Sequence, residues 1–330
     1  MKAPPAIYVS GVAGGTNPSP GVGIARCLRE AFPAARLIAV DYSPHSAGLA
    51  WADFDECIVR PSWLLRGPQR HVAYVRSVLA RGGIWLSCLD LELRLLAPHL
   101  RRRALAPCPP LRALRWARKP AAEIARRLGL AAPPSLRVGR NSDAVLGAFC
   151  REHGWPVWVK GPDYGAAPIW SWYELAPALR EMAALWGGRE RLLLQAHSDG
   201  HDVTLAFAAL GGRLLGAAQL EKLERTAEGK VWRGRVSAVP QPLERRLRAL
   251  VRDARWSGGG EIECVRDRAS RLWLVECNPR FPAWIYGAAL AGRNLPGLLV
   301  GTLTGEKLAQ PRRRERGTFT RIVLENPAPL

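Results

Sequence analysis

Residues 257–282 read SGGGEIECVRDRASRLWLVECNPRFP and carry the pattern that decides the fold. Within them, residues 261–265 and 272–275 are two short runs of strand-forming residues separated by a polar turn. Such a pattern predicts a β-hairpin. Apart from Asp267 in the turn, the carboxylate and amide side chains of the stretch lie on the two predicted strands or directly at their ends. The hairpin is therefore also where the sequence indicates a functional site.

Four carboxylate or amide side chains lie on the strands of the predicted hairpin or at their ends, outside its turn. Glu261 and Glu263 are on its first strand, and Glu276 and Asn278 end its second. Because side chains two apart on a strand share a face, we expect Glu276 and Asn278 to meet Glu263 across the hairpin. Carboxylate and amide oxygens suit Mg²⁺, which binds through one or two carboxylates and nucleotide phosphates. Arg280 follows on the same side as a fixed cation, although a hairpin with solvated charges explains these residues equally well.

Length and composition indicate a large folded protein. A chain of 330 residues with 48% hydrophobic and 8% aromatic residues can bury a core and is expected to form two or three domains. No apolar run approaches membrane-spanning length, and we predict no signal sequence before the first strand. The seven cysteines are scattered without a Cys-x-x-Cys pair, which argues against a disulfide framework or a zinc site. We therefore expect a cytoplasmic protein.

The basic composition is a weak guide to partners. The net charge is +20, but 42 arginines stand against six lysines, a skew typical of coding bias. The arginines are also spread along the chain, so a nucleic-acid partner is disfavoured. Because arginine is the usual basic residue in this chain, we expect each lysine to mark a position where an arginine would not perform the same role.

The N-terminal part, residues 6–115, alternates predicted strands and helices, which is typical of a parallel sheet covered by helices. The glycines after the first strand do not form a Gly-x-Gly-x-x-Gly motif, although Asp41 leaves a ribose-binding role open. Asp90 and Glu92 follow the fourth predicted strand, where open sheets place their ligands. They are candidates either to face a substrate or to cap a helix in solvent.

Two lysines lie at the ends of predicted regular elements, and the second of them is in a pattern that suits phosphate binding. Lys119 begins a predicted amphipathic helix over residues 119–129. Lys160 ends a predicted strand and precedes the small, flexible residues 161–167. The ammonium group and the amides of such a loop can hold a polyphosphate together, although loops of this composition are common.

In this order, the features resemble the ATP-grasp superfamily of ATP-dependent ligases, over nearly the whole chain. The most specific match is Glu-Cys-Asn-Pro-Arg-Phe from Glu276 onward, which is close to the Glu-x-Asn-x-Arg ending of that family. The resemblance implies an N-terminal open parallel α/β domain followed by a two-lobed ATP-grasp module. The implied boundaries are an N-terminal domain over 1–112, a small lobe over 113–194 and a large lobe with the metal site over 195–330.

The resemblance also implies a role for each candidate residue. Phosphates would be held by Lys119 and Lys160, while adenine and ribose would be bound by Gln195, Ala196, His197 and Asp202. One or two Mg²⁺ or Mn²⁺ ions would be bound by Glu263, Glu276 and Asn278. Charge on the intermediate would be stabilised by Arg280, and the transferred phosphate or the acid substrate would be reached by Lys222.

Two departures from the family pattern accompany the resemblance. The loop over residues 161–167 is poorer in glycine than is usual, which leaves open how well it closes over phosphate. Asp202 stands where glutamate is commoner. The choice between Glu261 and Glu263 as metal ligand also stays open.

The implied activity is an ADP-forming C–N ligase. It would activate a carboxylate as an acylphosphate for attack by an amine, with small-molecule or peptide substrates. No membrane partner is expected, and a homodimer is left open. The alternatives are a bicarbonate-using carboxylase of the same superfamily and a nucleotide-binding module without catalysis.

Overall fold

A computed structural model describes residues 5–14, 18–100, 105–227, 229–306, 308 and 317–321, leaving aside the side chains of residues 65 and 66. The chain forms two compact units. The first unit comprises Met1–Arg115, Val203–Glu261 and Asn278–Leu330, and the second comprises Trp116–Asp202 and Ile262–Cys277. The three-part division predicted from the sequence, with boundaries near residues 112 and 194, stays a prediction.

The N-terminal part of the first unit is built on a parallel sheet in the order β3-β2-β1-β4. Its strands and helices, in chain order, are β1 (Ile7–Ser10), α1 (Gly21–Ala31), β2 (Leu37–Asp41), β3 (Glu56–Val59), α2 (Trp63–Arg66), α3 (Pro68–Ala80), β4 (Ile84–Ser87), α4 (Asp90–Leu100) and α5 (Leu111–Trp116). Every residue of β2 is buried, as expected for a strand covered on both faces. The predicted parallel α/β architecture is confirmed.

The second unit contains an antiparallel sheet in the order β5-β8-β6-β7. Its elements before residue 203 are α6 (Ala122–Leu128), β5 (Ser135–Arg137), α7 (Asp143–His153), β6 (Val157–Lys160), β7 (Ala166–Ile169), α8 (Trp172–Trp186) and β8 (Leu193–Ala196). Leucine and valine side chains from α7, α8, β6 and β8 contribute to its core.

The prediction that a helix begins at Lys119 is wrong, because α6 begins at Ala122. Pro120 follows Lys119 directly, and a residue before proline is disfavoured in the helical conformation. Lys119 therefore lies on the segment that leads into α6.

The remaining strands form an antiparallel sheet in the order β13-β12-β9-β10-β11-β14. The elements are β9 (His201–Leu210), β10 (Arg213–Arg225), β11 (Val231–Ser237), α9 (Gln241–Ala254), β12 (Gly258–Arg266), β13 (Leu272–Asn278), α10 (Ile285–Leu290), α11 (Leu295–Thr304) and β14 (Gly317–Thr320). β12 and β13 are neighbours, so the predicted hairpin is confirmed. The boundaries between the two units fall within these two strands.

Residues of α1, α10 and α11 pack with the N-terminal strands and with β10 in the core of the first unit. Among the described residues, no helix is long and apolar enough to cross a membrane.

Candidate functional site

The polar turn of the hairpin is organised by one aspartate. The Asp267 backbone N–H donates to the Arg271 carbonyl, and the Ser270 N–H donates back to the Asp267 carbonyl. The Asp267 carboxylate accepts from the Arg271 N–H at 2.8 Å and from Trp273 Nε1 at 2.9 Å. These bonds hold the pKa of Asp267 below its usual value, with the Trp273 bond the largest cause. The local sequence thus fixes the turn that joins β12 to β13.

The second strand of the hairpin is tied to the segment that follows α6. The Ala131 N–H donates to the Leu272 carbonyl at 3.1 Å, and the Leu274 N–H donates to the Ala131 carbonyl at 2.8 Å. This bridge lies within the second unit and brings Glu276, two residues further along β13, beside Lys119.

We use the term lysine cluster for Lys119, Lys160, Gln195 and Glu276, all in the second unit. The Lys160 ammonium at the end of β6 is buried, with 4% exposure, and donates to Gln195 Oε1 at 2.6 Å. Gln195 lies on the neighbouring strand β8. Its Nε2 donates in turn to the Ser135 hydroxyl on β5 at 3.0 Å. Three adjacent strands thereby fix the position of the Lys160 ammonium.

Burial alters the protonation of Lys160. Its pKa is lowered from 10.5 to about 8, mainly by loss of water around the ammonium, with the charge of Lys119 acting in the same direction. The negative charges of Glu276 and Glu263 act in the opposite direction. Both predicted metal-binding glutamates of the hairpin therefore act electrostatically on Lys160.

Lys119 is also buried and contacts two oxygens. Its ammonium lies 3.3 Å from Glu276 Oε1 and donates to the Asp163 carbonyl at 3.3 Å. Asp163 belongs to the loop between β6 and β7 that the sequence associates with phosphate. A Cβ added to Gly161, at the start of this loop, would lie 2.2 Å from Trp186 Nε1 and 2.4 Å from the Tyr164 carbonyl. Glycine is therefore required at 161 although the loop has few glycines.

The three residues implied in adenine binding lie at the end of β8. Gln195 is committed to Lys160 and Ser135, as above. Ala196 is buried, and its N–H donates to the Pro134 carbonyl at 2.9 Å. The His197 ring accepts from Trp158 Nε1 at 3.1 Å and lies 3.1 Å from Asp199. Asp202 is the second residue of β9 and is half-buried.

We use the term arginine cluster for Asp90, Glu261, Asn278, Arg280 and Trp284, all in the first unit. Glu261 is buried, with 6% exposure, and accepts three hydrogen bonds. The donors are Asn278 Nδ2 at 3.0 Å, Arg280 Nη1 at 3.1 Å and Trp284 Nε1 at 3.1 Å. Arg280 Nε donates to Asp90 Oδ2 at 3.1 Å.

Asn278 was expected to meet Glu263, and the structure shows a hydrogen bond from Asn278 to Glu261. Glu261 and Glu263 are two apart on β12 and share a face, so alternation alone could not choose between them. The bond from Nδ2 to Glu261 orients the Asn278 amide. The assignment of Glu263, Glu276 and Asn278 as metal ligands stays a prediction. In the described part of the chain, no group of three or more His, Cys, Asp or Glu side chains is close enough to hold a metal ion.

Lys222, predicted to reach the transferred phosphate or the acid, lies on β10 in the first unit. It is half-buried, and its ammonium donates to the Gly229 carbonyl at 3.4 Å. Its role stays a prediction.

Glu92 lies in the first turn of α4 but is not exposed to solvent, so the interpretation as a solvated cap residue is wrong. The interpretation that it faces a substrate stays a prediction. Its carboxylate is fully buried and accepts from the hydroxyls of Ser10 and Ser87, which end β1 and β4. It also accepts from the Tyr42 hydroxyl at 2.6 Å and lies 2.7 Å from His71 Nε2. Burial and the Glu92 charge raise the pKa of Tyr42 well above its usual value. Glu92 therefore connects the carboxyl ends of β1 and β4 through buried hydrogen bonds.

Asp41 is likewise engaged inside the first unit. Its carboxylate accepts from the N–H groups of Val12 at 2.7 Å and Tyr42 at 2.8 Å, and from the Ser46 hydroxyl at 2.7 Å. Asp41, the last residue of β2, thus binds the loops that follow β1 and β2. These contacts give no support to a ribose-binding role.

No protein-family model matches the sequence, and no curated protein matches it significantly. Solved structures do match. N5-carboxyaminoimidazole ribonucleotide synthetase from Thermus thermophilus is 17% identical, with a TM-score of 0.68 over 97% of this chain and 84% of that one. N5-carboxyaminoimidazole synthetase from Staphylococcus aureus, complexed with ADP, is 12% identical, with a TM-score of 0.69 over 98% and 83%.

A third similar structure is the biotin carboxylase domain of 2-oxoglutarate carboxylase from Hydrogenobacter thermophilus, crystallised as a dimer with MgADP, ADP and bicarbonate. It is 16% identical, with a TM-score of 0.66 over 92% of this chain and 70% of that one. These three proteins are ATP-grasp enzymes. Likeness at such low identity shows the fold, and the chain has the ATP-grasp fold.

Proposed function

We propose that this chain is an ATP-dependent, ADP-forming ligase that joins a carboxylate to an amine. The observation that carries the proposal is the lysine cluster, in which Lys119 and Lys160 are buried as a pair of ammonium groups beside Glu276. Buried lysines are expensive unless an anion compensates them, and a nucleotide polyphosphate is such an anion. The similar structures that contain ADP share the fold in which this cluster lies.

The nucleotide is assigned to residues of the second unit. Lys119 and Lys160 hold its phosphates, with the loop after Lys160 contributing backbone N–H groups. The adenine and ribose are assigned to residues near the end of β8 and the start of β9, namely Gln195, Ala196, His197 and Asp202. Since the amide of Gln195 is already bonded to Lys160 and Ser135, its part is to position Lys160 as well as to line the base.

The hairpin supplies the donors for a divalent cation. Glu263 and Glu276 offer carboxylate oxygens and Asn278 an amide oxygen that Glu261 orients, a set that suits Mg²⁺ or Mn²⁺. A bound cation would neutralise charge on the phosphate oxygens. The Glu276 carboxylate lies 3.3 Å from the Lys119 ammonium. The same carboxylate would therefore bind the cation and pair with a phosphate-binding lysine.

The reaction that these groups support has two steps. A carboxylate oxygen of the acid bonds to the γ-phosphorus of ATP, and the bond to ADP breaks. The amine nitrogen then bonds to the acyl carbon, phosphate leaves with the carboxylate oxygen, and the nitrogen loses a proton. Arg280 stabilises negative charge on the acylphosphate and on the tetrahedral intermediate, and Lys222 holds the acid or the transferred phosphate.

The substrates are proposed as a small-molecule or peptide carboxylate and an amine, without nucleic acid. Seven free cysteines support a reducing compartment and hence the cytoplasm. A homodimer remains open, and one similar structure is a dimer.

The proposal is tested by measuring ADP released from ATP and Mg²⁺ over a matrix of acids and amines, with bicarbonate included among the acids. We expect release that requires both an acid and an amine. Glu276→Gln should abolish it, whereas Glu123→Gln, at a glutamate of the same unit that pairs with Arg126 on the surface of α6, should not.

Release that survives Glu276→Gln would contradict the cation assignment. Release with bicarbonate alone as the acid would replace the ligase by a carboxylase. ATP that binds without turnover under any pairing would show a binding module.

A further inference from the structure

Arg280 is held by two carboxylates from distant parts of the chain. Its Nε donates to Asp90 Oδ2 at 3.1 Å, across 190 residues of sequence, and its Nη1 donates to Glu261 Oε2 at 3.1 Å. Nη1 also donates to the Phe281 carbonyl at 3.1 Å. The side chains of Asp90 and Glu261 are 5% and 7% exposed, against 18% for Arg280. The arginine is therefore fixed from its buried side.

Asp90 is itself rigidly placed. It is the first residue of α4 and follows β4 within three residues. In the same first turn, Glu92 accepts hydrogen bonds from Ser10 and Ser87, the last residues of β1 and β4. The start of α4 is thereby bound to two strands of the parallel sheet, and Asp90 presents its carboxylate from a fixed backbone.

A guanidinium group has a planar set of donors, so bonds at Nε and Nη1 define the orientation of its whole plane. The bonds to Glu261 and to the Phe281 carbonyl both hold the guanidinium at Nη1, and the bond to Asp90 adds a second point of attachment at Nε. Both bonds are charge-assisted and lie away from water, where such bonds are strongest.

We propose that Asp90 is a positioning residue that holds the Arg280 guanidinium in the orientation needed to meet the anionic intermediate. The inference rests on the proposed function of Arg280. The positioning role can be distinguished from an electrostatic effect, because the negative charge of Asp90 by itself destabilises an anionic intermediate. A purely electrostatic effect predicts faster turnover when Asp90 is neutralised, whereas a positioning effect predicts slower turnover.

The test compares the full-length wild type with Asp90→Ala and Asp90→Asn. The control is Asp55→Ala, which breaks a 2.9 Å arginine–carboxylate pair with Arg29 elsewhere in the first unit. Two quantities are measured. The first is kcat and KM for ADP release, and the second is the hydrogen-exchange rate of the Arg280 Nε–H by NMR, assigned from its absence in Arg280→Lys.

We expect Asp90→Ala to lower kcat by about 10- to 100-fold while KM for ATP changes less than about twofold. Asp90→Asn, which keeps an oxygen acceptor for Nε, should recover part of the loss and provides a second variant if Asp90→Ala does not fold. The Arg280 Nε–H should exchange at least about tenfold faster in Asp90→Ala and unchanged in Asp55→Ala.

Turnover that is unchanged or faster in Asp90→Ala would overturn the inference, as would losses equal to those of Asp55→Ala. The exchange measurement separates the two proposals. If the wild type turns over no pair of substrates, the ligase proposal fails, and the Nε–H exchange still decides whether Asp90 holds Arg280.

Discussion

Nucleotide binding should weaken as pH rises through the pKa of Lys160. Burial lowers this pKa to about 8 in the folded protein before nucleotide binds. An adjacent phosphate favours the charged ammonium and raises the pKa again, so binding takes up a proton wherever Lys160 is neutral. With a bound-state pKa near its ordinary value, the fraction of competent ammonium gives an ADP Kd about tenfold larger at pH 9 than at pH 7.

The same shift has a defined sign for stability. Since the folded-state pKa lies below that of the unfolded chain, the unfolded chain binds more protons between pH 8 and 10.5. The buried charge therefore costs about 3 kcal/mol below pH 8, and this cost is lost as pH rises through that window. Anion binding offsets the cost, which is why the ligand and the proton are coupled.

Calorimetry of ADP and Mg²⁺ binding in two buffers of different ionisation enthalpy measures both quantities, Kd and the number of protons taken up. We expect uptake of about half a proton per ADP at pH 8. Lys160→Arg keeps a permanent charge and should bind with a Kd nearly independent of pH, because arginine does not titrate in this range. Lys230→Arg, at an exposed lysine, should retain the wild-type dependence. A wild-type Kd that is constant from pH 7 to 9, or an Lys160→Arg variant with the wild-type dependence, would refute this reasoning.

Three further outcomes follow from the same contacts. Gly161→Ala places a Cβ 2.2 Å from Trp186 Nε1. It should lower the free energy of unfolding, measured by urea titration, by about 1–3 kcal/mol and weaken ADP binding, measured by calorimetry. An unchanged free energy of unfolding and an unchanged ADP Kd would contradict the close packing. Glu92→Gln replaces a fully buried carboxylate that accepts four hydrogen bonds by an amide, in which one of the two oxygens becomes an NH₂ donor. It should lower the free energy of unfolding in urea by more than about 2 kcal/mol. Glu56→Gln, at an exposed ion pair, should lower it by less than about 1 kcal/mol. Removal of divalent cations with EDTA should stop ADP release, and either Mg²⁺ or Mn²⁺ should restore it; release in EDTA would exclude the cation role.

Local patterns in the sequence predicted a large part of the fold. The alternation over residues 6–115 predicted the parallel sheet, and the two runs around the Asp267 turn predicted the hairpin. The individual strands and the hairpin turn depend on residues close in sequence, namely buried runs of β-forming residues and the hydrogen bonds of one turn. The pairing of β1 with β2 and β4, which joins residues 30 or more apart, was inferred from the alternation of strands with helices. Lys160 was likewise placed correctly at a strand end.

Side-chain partners were harder to predict because they depend on packing between distant segments. The contact between Asp90 and Arg280 joins residues 190 apart, and no periodicity connects them. Alternation predicted that Asn278 meets Glu263, and it did not predict the hydrogen bond of Asn278 to Glu261, which lies on the same face of the strand. Proline at 120 was a usable signal that Lys119 precedes its helix.

The most direct measurement uses ¹⁸O in the carboxylate of the acid substrate that supports ADP release. An acylphosphate is formed through a carboxylate oxygen, and attack by the amine at carbon leaves that oxygen on phosphate. We therefore predict one ¹⁸O in the inorganic phosphate for each ligated product, detected by mass spectrometry or by the ³¹P shift. Phosphate without ¹⁸O, or label found in AMP, would contradict a ligase that activates its acid as an acylphosphate.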